Sequence, residues 1–362
     1  MTWVLLLIIL SYLAMFTFIY VNLSGITPFR PVATSSIFVS VIIPVRNESG
    51  NLPGLLENIS LQDYPAESFE VIVVDDNSTD KTFEIAAGYS GINNFKVLIN
   101  KGSGKKSALL TGAENAFGTL IITTDADCRM GNSWISTVAS FYNLYHPDLI
   151  ICPVLPESMK GFFGRFQELE FLSLQGVTAG TAMARQPAMC NGANLAFPAG
   201  TYFQNAVSLK PLTASGDDMF LLQSLKKKKN PVIMWLESKE SMVVTKGKPT
   251  LCEYLRQRSR WISKAGKYDD PFVIILGIVT FVTILMQLFL TAASFFRPSF
   301  LTFLGAFLVL KSVPDFLILR NTALRYGKKH LMKWFIPSEV IYPFYVIAVL
   351  VQALFSGKRD WF

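Results

Sequence analysis

Histidine and cysteine are scarce in this sequence. Its 362 residues include two histidines and four cysteines, and no two cysteines are spaced as a CxxC pair. Structural zinc sites are built from closely spaced Cys and His, and disulfide frameworks need many cysteines. The composition therefore argues against both kinds of site, and four separate thiols suit a reducing, cytosolic compartment.

Charged residues are also few. They make up 16% of the chain, whereas hydrophobic residues make up 51%, which is too apolar for an ordinary soluble protein. Residues 3–22 carry no charge and are long enough to span a hydrocarbon core of roughly 30 Å. No basic segment precedes them and no cleavage site of small residues follows, so we expect a retained membrane anchor at 1–24.

Further apolar stretches occur toward the end of the chain. Residues 272–292 form an uninterrupted span, whereas 299–319 and 337–355 contain charged residues and prolines, which predicts broken, tilted or partly interfacial helices. We expect transmembrane helices within 271–356 and leave the number of crossings open. The interrupting residues are Lys311, Pro314, Asp315, Glu339 and Pro343.

The net charge is +7, and the basic residues cluster close to the apolar spans. Basic segments beside spans usually lie on the cytoplasmic side. We therefore expect an integral membrane protein of an inner or plasma membrane, with the region between the first two spans in the cytoplasm and no nucleic-acid partner. The lysine run at 226–229 is explained as well by a solvated loop that touches anionic lipid.

A complete phosphate loop is absent. The segment KGSGKKS, residues 101–107, resembles one, but the pattern GxxxxGK[ST] would need Gly in place of Ile99 and Ser or Thr in place of Lys106. This difference excludes an ATPase interpretation. Lys105 and the N–H groups of a helix start can still lie near a phosphate, although a basic surface turn is an equally good explanation.

The region between the first two spans alternates predicted strands and helices, which indicates an α/β fold with a mainly parallel sheet. The predicted strands are 39–44, 69–75, 95–99 and 119–124, and the predicted helices are 51–64 and 106–117.

Acidic residues follow three of these strands, in the segments PVRNE, DDNSTD and DAD. Ligands of parallel sheets bind at the carboxyl ends of the strands, and acids gathered there need a cation among them. Asp125 and Asp127 point to the same side of an extended segment. They suit Mg²⁺ or Mn²⁺, which takes one or two protein carboxylates and completes its shell with phosphate and water. Each Asp alone is explained equally well as a turn residue.

Five short segments follow one another along the chain: VSVIIPVRNE, VIVVDDNSTD, TTDADC, SGDDMFL and QRSRW. Together, over about residues 38–265, they resemble the family 2 inverting glycosyltransferases. The similarity is to the membrane-bound branch that includes ceramide glucosyltransferases and cellulose and hyaluronan synthases. The resemblance implies a GT-A (Rossmann-like) fold, with a mixed, mainly parallel sheet and helices on both faces, between N- and C-terminal transmembrane helices. It implies a catalytic domain at 36–248 and an interfacial helix with the QxxRW motif at 249–270.

The resemblance also implies a site for a nucleotide sugar. Asp76 would accept a hydrogen bond from the base, with Asp75 as its helper, and Asp127 would hold Mn²⁺ or Mg²⁺ with Asp125 near the sugar and ribose. Lys105 would lie near the diphosphate. The base and ribose would be walled by Pro44 and the loop from Val45 to Glu48.

The catalytic base implied by the resemblance is Asp218. Many relatives have Glu-Asp where this chain has Asp217 and Asp218, so either carboxylate can face the acceptor; acids at a helix start are the structural alternative. Gly192 and Asn194 would lie under the donor sugar and acceptor, although packing explains them nearly as well.

The QRSRW segment matches the QxxRW motif of the family. Gln257, Arg260 and Trp261 are spaced i, i+3 and i+4 and so share one helical face. Arg260 would bind phosphate oxygens, and Trp261 would offer a flat surface to a sugar or a lipid-linked acceptor. A membrane-surface helix with Arg and Trp at the headgroups is the alternative.

The sequence thus predicts transfer of one sugar from a nucleotide sugar, preferably a UDP-sugar, to a lipid or lipid-linked acceptor. A processive polysaccharide synthase uses the same motifs but needs more spanning helices for its polymer channel. A non-catalytic membrane scaffold would have no reason to keep Asp76, Asp127, Asp218 and Arg260 together.

Overall fold

A computed structural model of the chain describes residues 2–31, 37–206, 216–264 and 268–355, without the side chains of 203–206 and 217. The chain divides into two compact units. The helical unit contains the chain up to Ile26, Ser158–Ala188 and the residues from Gly247 onward, and the sheet unit contains Thr27–Glu157 and Met189–Lys246.

The described residues of the sheet unit form ten strands. They are β1 (Val39–Val45), β2 (Phe69–Asp75), β3 (Phe95–Ile99), β4 (Leu120–Thr123), β5 (Arg129–Met130), β6 (Leu149–Ile151), β7 (Val154–Pro156), β8 (Leu195–Pro198), β9 (Ile233–Trp235) and β10 (Val243–Thr245). Seven of them form one sheet in the order β3-β2-β1-β4-β8-β6-β9. In this sheet β8 runs antiparallel to both of its neighbours and the other pairs are parallel. The predicted mixed, mainly parallel sheet is confirmed.

The α-helices of both units, in chain order, are α1 (Thr2–Ser24), α2 (Leu52–Ser60), α3 (Thr82–Ala87), α4 (Lys105–Glu114), α5 (Trp134–Tyr145), α6 (Gly161–Met183), α7 (Ala199–Ala206), α8 (Asp217–Lys226), α9 (Leu251–Ile262), α10 (Pro271–Phe296), α11 (Phe300–Arg325) and α12 (Phe335–Phe355).

The four predicted strands are confirmed as β1 to β4, which run in parallel. Every residue of β1, β2 and β4 is buried, because their apolar, mostly β-branched side chains are covered on both faces, as is usual for parallel strands. At Gly112 in α4 a Cβ would lie 2.5 Å from Ile42 Cγ2 of β1, so only glycine allows this close packing. Because β1 to β4 run in parallel, their carboxyl ends meet at one edge of the sheet.

A second, three-stranded sheet holds the segment after β4. Its central strand β10 pairs antiparallel with β5 and parallel with β7. Since β5 begins at Arg129, the acidic loop at 124–128 is fixed at both ends, by β4 in the large sheet and by β5 in the small one.

Among the residues that the structure describes, the helical unit has four helices long and apolar enough to cross a membrane: Thr2–Ser24, Pro271–Phe296, Phe300–Arg325 and Lys329–Phe355. The two stretches predicted to be broken or tilted are continuous as α11 and α12, with Pro314 and Pro343 inside them. Their charged residues pair with one another, since Lys311 Nζ lies 2.8 Å from Asp315 and 2.7 Å from Glu339. Paired charges of this kind are the usual way that ionisable groups are accommodated in apolar helices.

The catalytic domain was predicted to cover residues 36–248. Within this range, residues 158–188 belong to the helical unit. Their helix α6 is buried along most of its length. A Cβ at Gly180 would lie 2.6 Å from the Ile19 carbonyl oxygen of α1, and one at Gly176 would lie 2.5 Å from Thr322 Oγ1 of α11. Small residues on two faces let α6 pack closely against two apolar helices, so it is a central helix of this unit.

The QxxRW segment lies on α9, which begins after the cap residue Thr250, whose hydroxyl accepts a hydrogen bond from Glu253 N at 3.3 Å. The predicted interfacial helix at 249–270 is thus a helix over Leu251–Ile262, while residues 265–267 lie outside the described residues. Its location at a membrane surface stays a prediction.

Candidate active site

Asp76 is held by the loop that follows β3. The residue is 1% exposed, and its carboxylate accepts hydrogen bonds from Gly104 N at 2.9 Å and Asn100 Nδ2 at 2.5 Å. Arg46 Nη1 lies 3.4 Å from it. Both carboxylate oxygens are therefore engaged within the sheet unit, which makes Asp76 the residue that fixes the loop before α4.

Asp75 has the freer carboxylate. Its Oδ2 accepts from Ser78 N at 3.0 Å, but its buried Oδ1 has no hydrogen-bond partner among the described residues. A buried acceptor without a donor costs about 1–3 kcal/mol, and such a group calls for a specific explanation. The sequence interpretation gave the base contact to Asp76 and made Asp75 its helper, whereas in the structure Asp76 has both oxygens engaged and Asp75 has one buried oxygen without a partner among the described residues.

The loops after β1 and β2 are joined by side chains. Asn47 Oδ1 accepts from Thr79 N at 2.8 Å, Thr82 Oγ1 accepts from Glu48 N at 2.7 Å, and Asp80 accepts from Ser49 N at 3.2 Å. Slight burial acts to raise the pKa of Asp80, but the hydrogen bonds from Thr82 and Ser49 lower it to about 2. Asp80 therefore stays ionised at neutral pH and holds the two loops together.

The predicted walls of the base site are less accessible than expected. Pro44 and Val45 are buried within β1, and Val45 is 0% exposed, since both belong to the core of the sheet. In the same loop Glu48 is only partly buried, and its carboxylate accepts from Asn51 Nδ2 at 2.6 Å. Of the predicted wall, only the residues beyond Val45 are partly or fully exposed.

The acidic loop after β4 presents Asp125 and Asp127, both partly buried. Asp125 Oδ1 accepts a short hydrogen bond from Lys105 Nζ at the start of α4. Asp127 Oδ2 accepts from Thr245 Oγ1 of β10 at 3.3 Å. The two predicted metal ligands are thus oriented by a helix start and by the small sheet.

These two carboxylates suit a hard divalent cation. Among the described residues no cluster of three or more His, Cys, Asp or Glu side chains could hold a metal by itself. Mg²⁺ and Mn²⁺ often take only one or two carboxylates and fill the remaining positions with phosphate and water, so the pair fits such an ion bound together with a phosphate. Burial, and then the charges of Asp125 and Asp127, raise the pKa of the Cys128 thiol, so that thiol stays neutral and is a poor ligand.

Asp218 lies beside the same group. Its Oδ2 accepts from Gly192 N at 3.0 Å, and a Cβ built at Gly192 would lie 3.7 Å from both Asp218 Oδ2 and Lys105 Nζ. The Gly192 carbonyl accepts from the Thr123 hydroxyl at the end of β4, at 2.8 Å. The structure therefore brings Asp125, Lys105, Gly192 and Asp218 together. Gly104, which holds Asp76, precedes Lys105 directly.

A small apolar pocket adjoins Asp218 and Gly192. It is lined by Leu109, Thr123, Leu195, Phe197, Tyr202 and Leu221 in addition to those two residues. The Phe197 and Tyr202 rings stack in it, with centroids 5.6 Å apart. The side chain of Asp217, the other predicted acid of this pair, lies outside the described residues.

Asn194 has the packing role that the sequence analysis gave as the alternative to an acceptor contact. It is 0% exposed, its amide nitrogen donates to the carbonyls of Pro153 and Ser241 at 2.8 Å each, and its oxygen accepts from Trp134 Nε1 at 3.0 Å. An amide engaged in this way has little capacity left for a substrate. The predicted acceptor contact of Asn194 is therefore corrected to a contact within the core.

In the helical unit, Gln257, Arg260 and Trp261 of α9 are each partly buried. Burial lowers the pKa of Arg260. Between them lies Arg258, which sequence analysis passed over and which is 5% exposed. Burial alone would lower the pKa of Arg258, but the adjacent carboxylate of Glu170 raises it above its ordinary value, so this arginine is a permanently charged, buried group.

Two further site residues were also missed, Asn100 and Thr245. Asn100 directly follows β3 and could have been found with the rule that selected the acids after β1, β2 and β4. Thr245 reaches Asp127 from 118 positions along the chain, and no local sequence signal predicts that contact.

Comparison with known proteins gives a family match over less than half of the chain. Residues 40–196 match the family described as Glycosyl transferase family 2. Among curated proteins, glycosyltransferase AglE of Haloferax volcanii is 37% identical over 115 residues, 31% of this chain and 38% of that protein. The undecaprenyl-phosphate 4-deoxy-4-formamido-L-arabinose transferase of Aeromonas hydrophila is 42% identical over 95 residues, 25% of this chain and 29% of that protein. The matched segment thus spans well under half the length of either relative.

A solved structure shares the fold. The mannosyltransferase PcManGT of Pyrobaculum calidifontis, in complex with GDP-Man and Mn²⁺, superposes with a TM-score of 0.59 at 19% identity, covering 95% of each chain. At that identity the likeness concerns the fold, which is the predicted GT-A type with its mainly parallel sheet and apolar N- and C-terminal helices.

Proposed function

From the match of residues 40–196 to glycosyl transferase family 2, we propose that this protein is a membrane-bound inverting glycosyltransferase. It transfers a sugar from a nucleotide-diphosphate sugar to a lipid or lipid-linked acceptor, with its sheet unit in the cytoplasm. The observation that carries the proposal is the grouping of Asp125, Lys105, Gly192 and Asp218 at the carboxyl edge of the sheet. Ligands of α/β sheets bind at this edge.

The donor is held by the ends of β2 and β4. Asp75 Oδ1, buried and without a partner among the described residues, accepts the ring N–H of the base. A UDP-sugar is our preferred donor because uracil offers one such N–H beside two carbonyls; guanine also offers one, and the neighbour of like fold carries GDP-Man. Lys105, which pairs with Asp125, neutralises part of the diphosphate charge.

Transfer requires an acceptor that is deprotonated as it attacks. Asp218 takes the proton of the acceptor hydroxyl, and the freed oxygen attacks the anomeric carbon from the face opposite the nucleoside diphosphate, which inverts that centre. Asp127 and Asp125 would hold Mn²⁺ or Mg²⁺, which supplies Lewis-acid stabilisation of the departing diphosphate. The protein's own contribution is a set of charges preorganised around the developing negative charge.

The acceptor is proposed to be a lipid or lipid-linked molecule. In the described part of the chain four helices are long and apolar enough to span a membrane, and one relative is named for undecaprenyl phosphate. The α9 residues Gln257, Arg260 and Trp261 supply an amide, a cation and a flat ring, which suit a phosphate and a sugar or lipid surface. A processive polysaccharide synthase remains the second candidate, on the strength of the QRSRW segment alone.

Membranes containing the protein, incubated with a panel of radiolabelled UDP- and GDP-sugars and then extracted with organic solvent, test the proposal. Label in the organic phase supports a glycolipid product. Label in an insoluble polymer would favour the synthase, and no incorporation from any donor would favour the non-catalytic scaffold.

We expect Asp127→Ala to remove the metal dependence of donor binding. The variant loses the carboxylate that Thr245 orients, so the ion loses one of its two protein ligands. Titration calorimetry of the wild type should show donor affinity rising on addition of Mn²⁺ by about tenfold or more, a change of about 1.4 kcal/mol. The variant should show no such rise; an unchanged response to Mn²⁺ would remove the metal role of Asp127.

We expect Asp75→Asn to weaken donor binding by about tenfold or more, close to the cost of leaving one buried polar group unpaired. Only the oxygen of an amide accepts a hydrogen bond. In the variant the amide nitrogen would therefore face a second donor, either Ser78 N or the N–H of the base. The same titration measures it.

The adjacent variant Asp76→Asn provides the contrast. It loosens the loop that Gly104 N and Asn100 hold, and should lower the thermal midpoint more than Asp75→Asn does. If Asp76→Asn weakened donor binding at unchanged stability and Asp75→Asn did not weaken it, the hydrogen bond to the base would be assigned to Asp76 instead of Asp75.

A further inference from the structure

Arg258 lies at the centre of a cluster formed by three helices of the helical unit. Its Nε and Nη2 donate to the two carboxylate oxygens of Glu170 on α6, at 3.0 and 2.6 Å. Tyr345 of α12 donates to the same carboxylate at 3.2 Å. A bidentate pair of this kind has a fixed geometry as well as strong hydrogen bonds, so one buried carboxylate joins α9 to α6 and α12.

The remaining part of the guanidinium contacts two residues of the QxxRW motif. Arg258 Nη1 donates to Gln257 Oε1 at 2.7 Å, and the guanidinium carbon lies 4.2 Å from the centroid of the Trp261 ring. The ring of Phe171 also meets Trp261 edge-on, at 6.3 Å and 68°. With its oxygen engaged by Arg258, Gln257 has its amide N–H groups left to donate, and Trp261 has one orientation set by the cation and the ring beside it.

We propose that Arg258, fixed by Glu170, is a positioning residue that sets the orientation of Gln257 and Trp261 for binding of the acceptor. The inference rests on the proposed function for the role of that face. Arg258 itself is buried and its donors are engaged by protein groups, so it acts through its neighbours. Lysine cannot replace it, because an ammonium lacks the planar fork that reaches two carboxylate oxygens, an amide and a ring at once.

A purely structural role would also explain a buried ion pair. Removing one partner of such a pair leaves a buried charge and destabilises the fold, whereas replacing both partners with apolar residues is often neutral. The two explanations therefore differ in what happens when both charges are removed together. Under both explanations, the variant that lacks both charges should regain stability. It should regain the native orientation of Gln257 and Trp261 only if Arg258 does not set that orientation.

The first test compares Arg258→Lys with Arg256→Lys, since Arg256 is an exposed arginine of the same helix. In Arg258→Lys we expect kcat/KM for the lipid acceptor to fall about tenfold or more, equivalent to about 1.4 kcal/mol, with donor affinity unchanged. The ¹⁹F resonance of Trp261 in 5-fluorotryptophan-labelled protein, assigned by its loss in Trp261→Phe, should shift. Arg256→Lys should leave both acceptor kinetics and the resonance unchanged.

The second test is the double variant Arg258→Met with Glu170→Leu. Its thermal midpoint should recover relative to Arg258→Met alone, while acceptor kcat/KM stays low and the Trp261 resonance stays shifted. Recovery of transfer together with stability would overturn the positioning role, and so would an unmoved resonance in Arg258→Lys.

The two proposals fail in different ways. If the wild-type protein transfers sugar from no donor in the panel, the proposed function fails. The resonance comparison between Arg258→Lys and Arg256→Lys still decides whether Arg258 orients Trp261, because it needs no activity.

Discussion

Asp218→Asn should reduce sugar transfer by about a hundredfold or more while leaving donor affinity nearly unchanged. Positioned general bases contribute roughly 10²–10⁴-fold to rate, and an amide cannot take a proton. Asn is close to Asp in shape, and its oxygen can still accept from Gly192 N, which lies 3.0 Å from Asp218 Oδ2 in the native protein. Its NH₂ group then faces Met219 N, which donates to Asp218 Oδ1 at 2.8 Å in the native protein, so the variant loses one local hydrogen bond together with the proton transfer.

Single-turnover transfer with saturating donor and titration of the donor in parallel measure the two effects separately. Asp63→Asn is a suitable control, because Asp63 is an exposed residue of the same unit that pairs with Ser133. An unchanged transfer rate in Asp218→Asn would remove the base assignment. It would point to an acceptor that brings its own oxyanion, such as a phosphate monoester, whose second pKa is about 6.

The sheet edge could be predicted from the sequence because its signals are local. Buried parallel strands appear as continuous apolar runs, and the polar residues directly after β1, β2 and β4 mark the edge where ligands bind. The grouping of Asp125 with Asp218 needed the resemblance in addition, since Asp218 follows none of the four predicted strands. Which carboxylate of the Asp75 and Asp76 pair is engaged within the protein could not be predicted, because it depends on which oxygens Asn100 and Gly104 N reach across the loop.

The helical unit was predicted less well, for a physical reason. Polar residues such as Glu170 normally indicate an exposed helix face, yet Glu170 is 8% exposed and paired with Arg258, 88 positions away. Pairing across such separations leaves no periodic pattern in the sequence. The same applies to Lys311 and Glu339, whose charges suggested interrupted spans until their partners were placed.

The polar groups of this unit act in pairs at the places where helices meet. Glu170 joins α6, α9 and α12, and Arg325 donates to the carbonyls of Leu23 and Ile26 at the end of α1, at 2.8 and 3.0 Å. Such contacts specify which helix faces meet, a role that apolar packing between similar helices does poorly in a membrane. The Lys311 side chain is buried more deeply than either member of the Arg258 and Glu170 pair.

Lys311→Met should destabilise the helical unit strongly. Lys311 is 2% exposed. Its Nζ lies between two carboxylates, 2.8 Å from Asp315 of α11 and 2.7 Å from Glu339 of α12. Tyr12 of α1 donates to the same Asp315 at 2.6 Å. Removing the lysine leaves two carboxylates in apolar surroundings without their cation, and breaking a buried pair in this way costs about 3–5 kcal/mol. A large fall in the thermal midpoint of the detergent-solubilised protein, followed by circular dichroism, is the expected result.

Lys329→Met is the matched control, since Lys329 is exposed and precedes the same helix α12; its midpoint should match that of the wild type. The triple variant Lys311→Met, Asp315→Asn and Glu339→Gln removes all three charges at similar volume and should recover much of the loss, because no uncompensated charge remains. If Lys311→Met were as stable as Lys329→Met, the cluster would contribute nothing to the assembly of α1, α11 and α12. If the triple variant were as unstable as Lys311→Met, the loss would come from packing of the lysine stem and not from its charge.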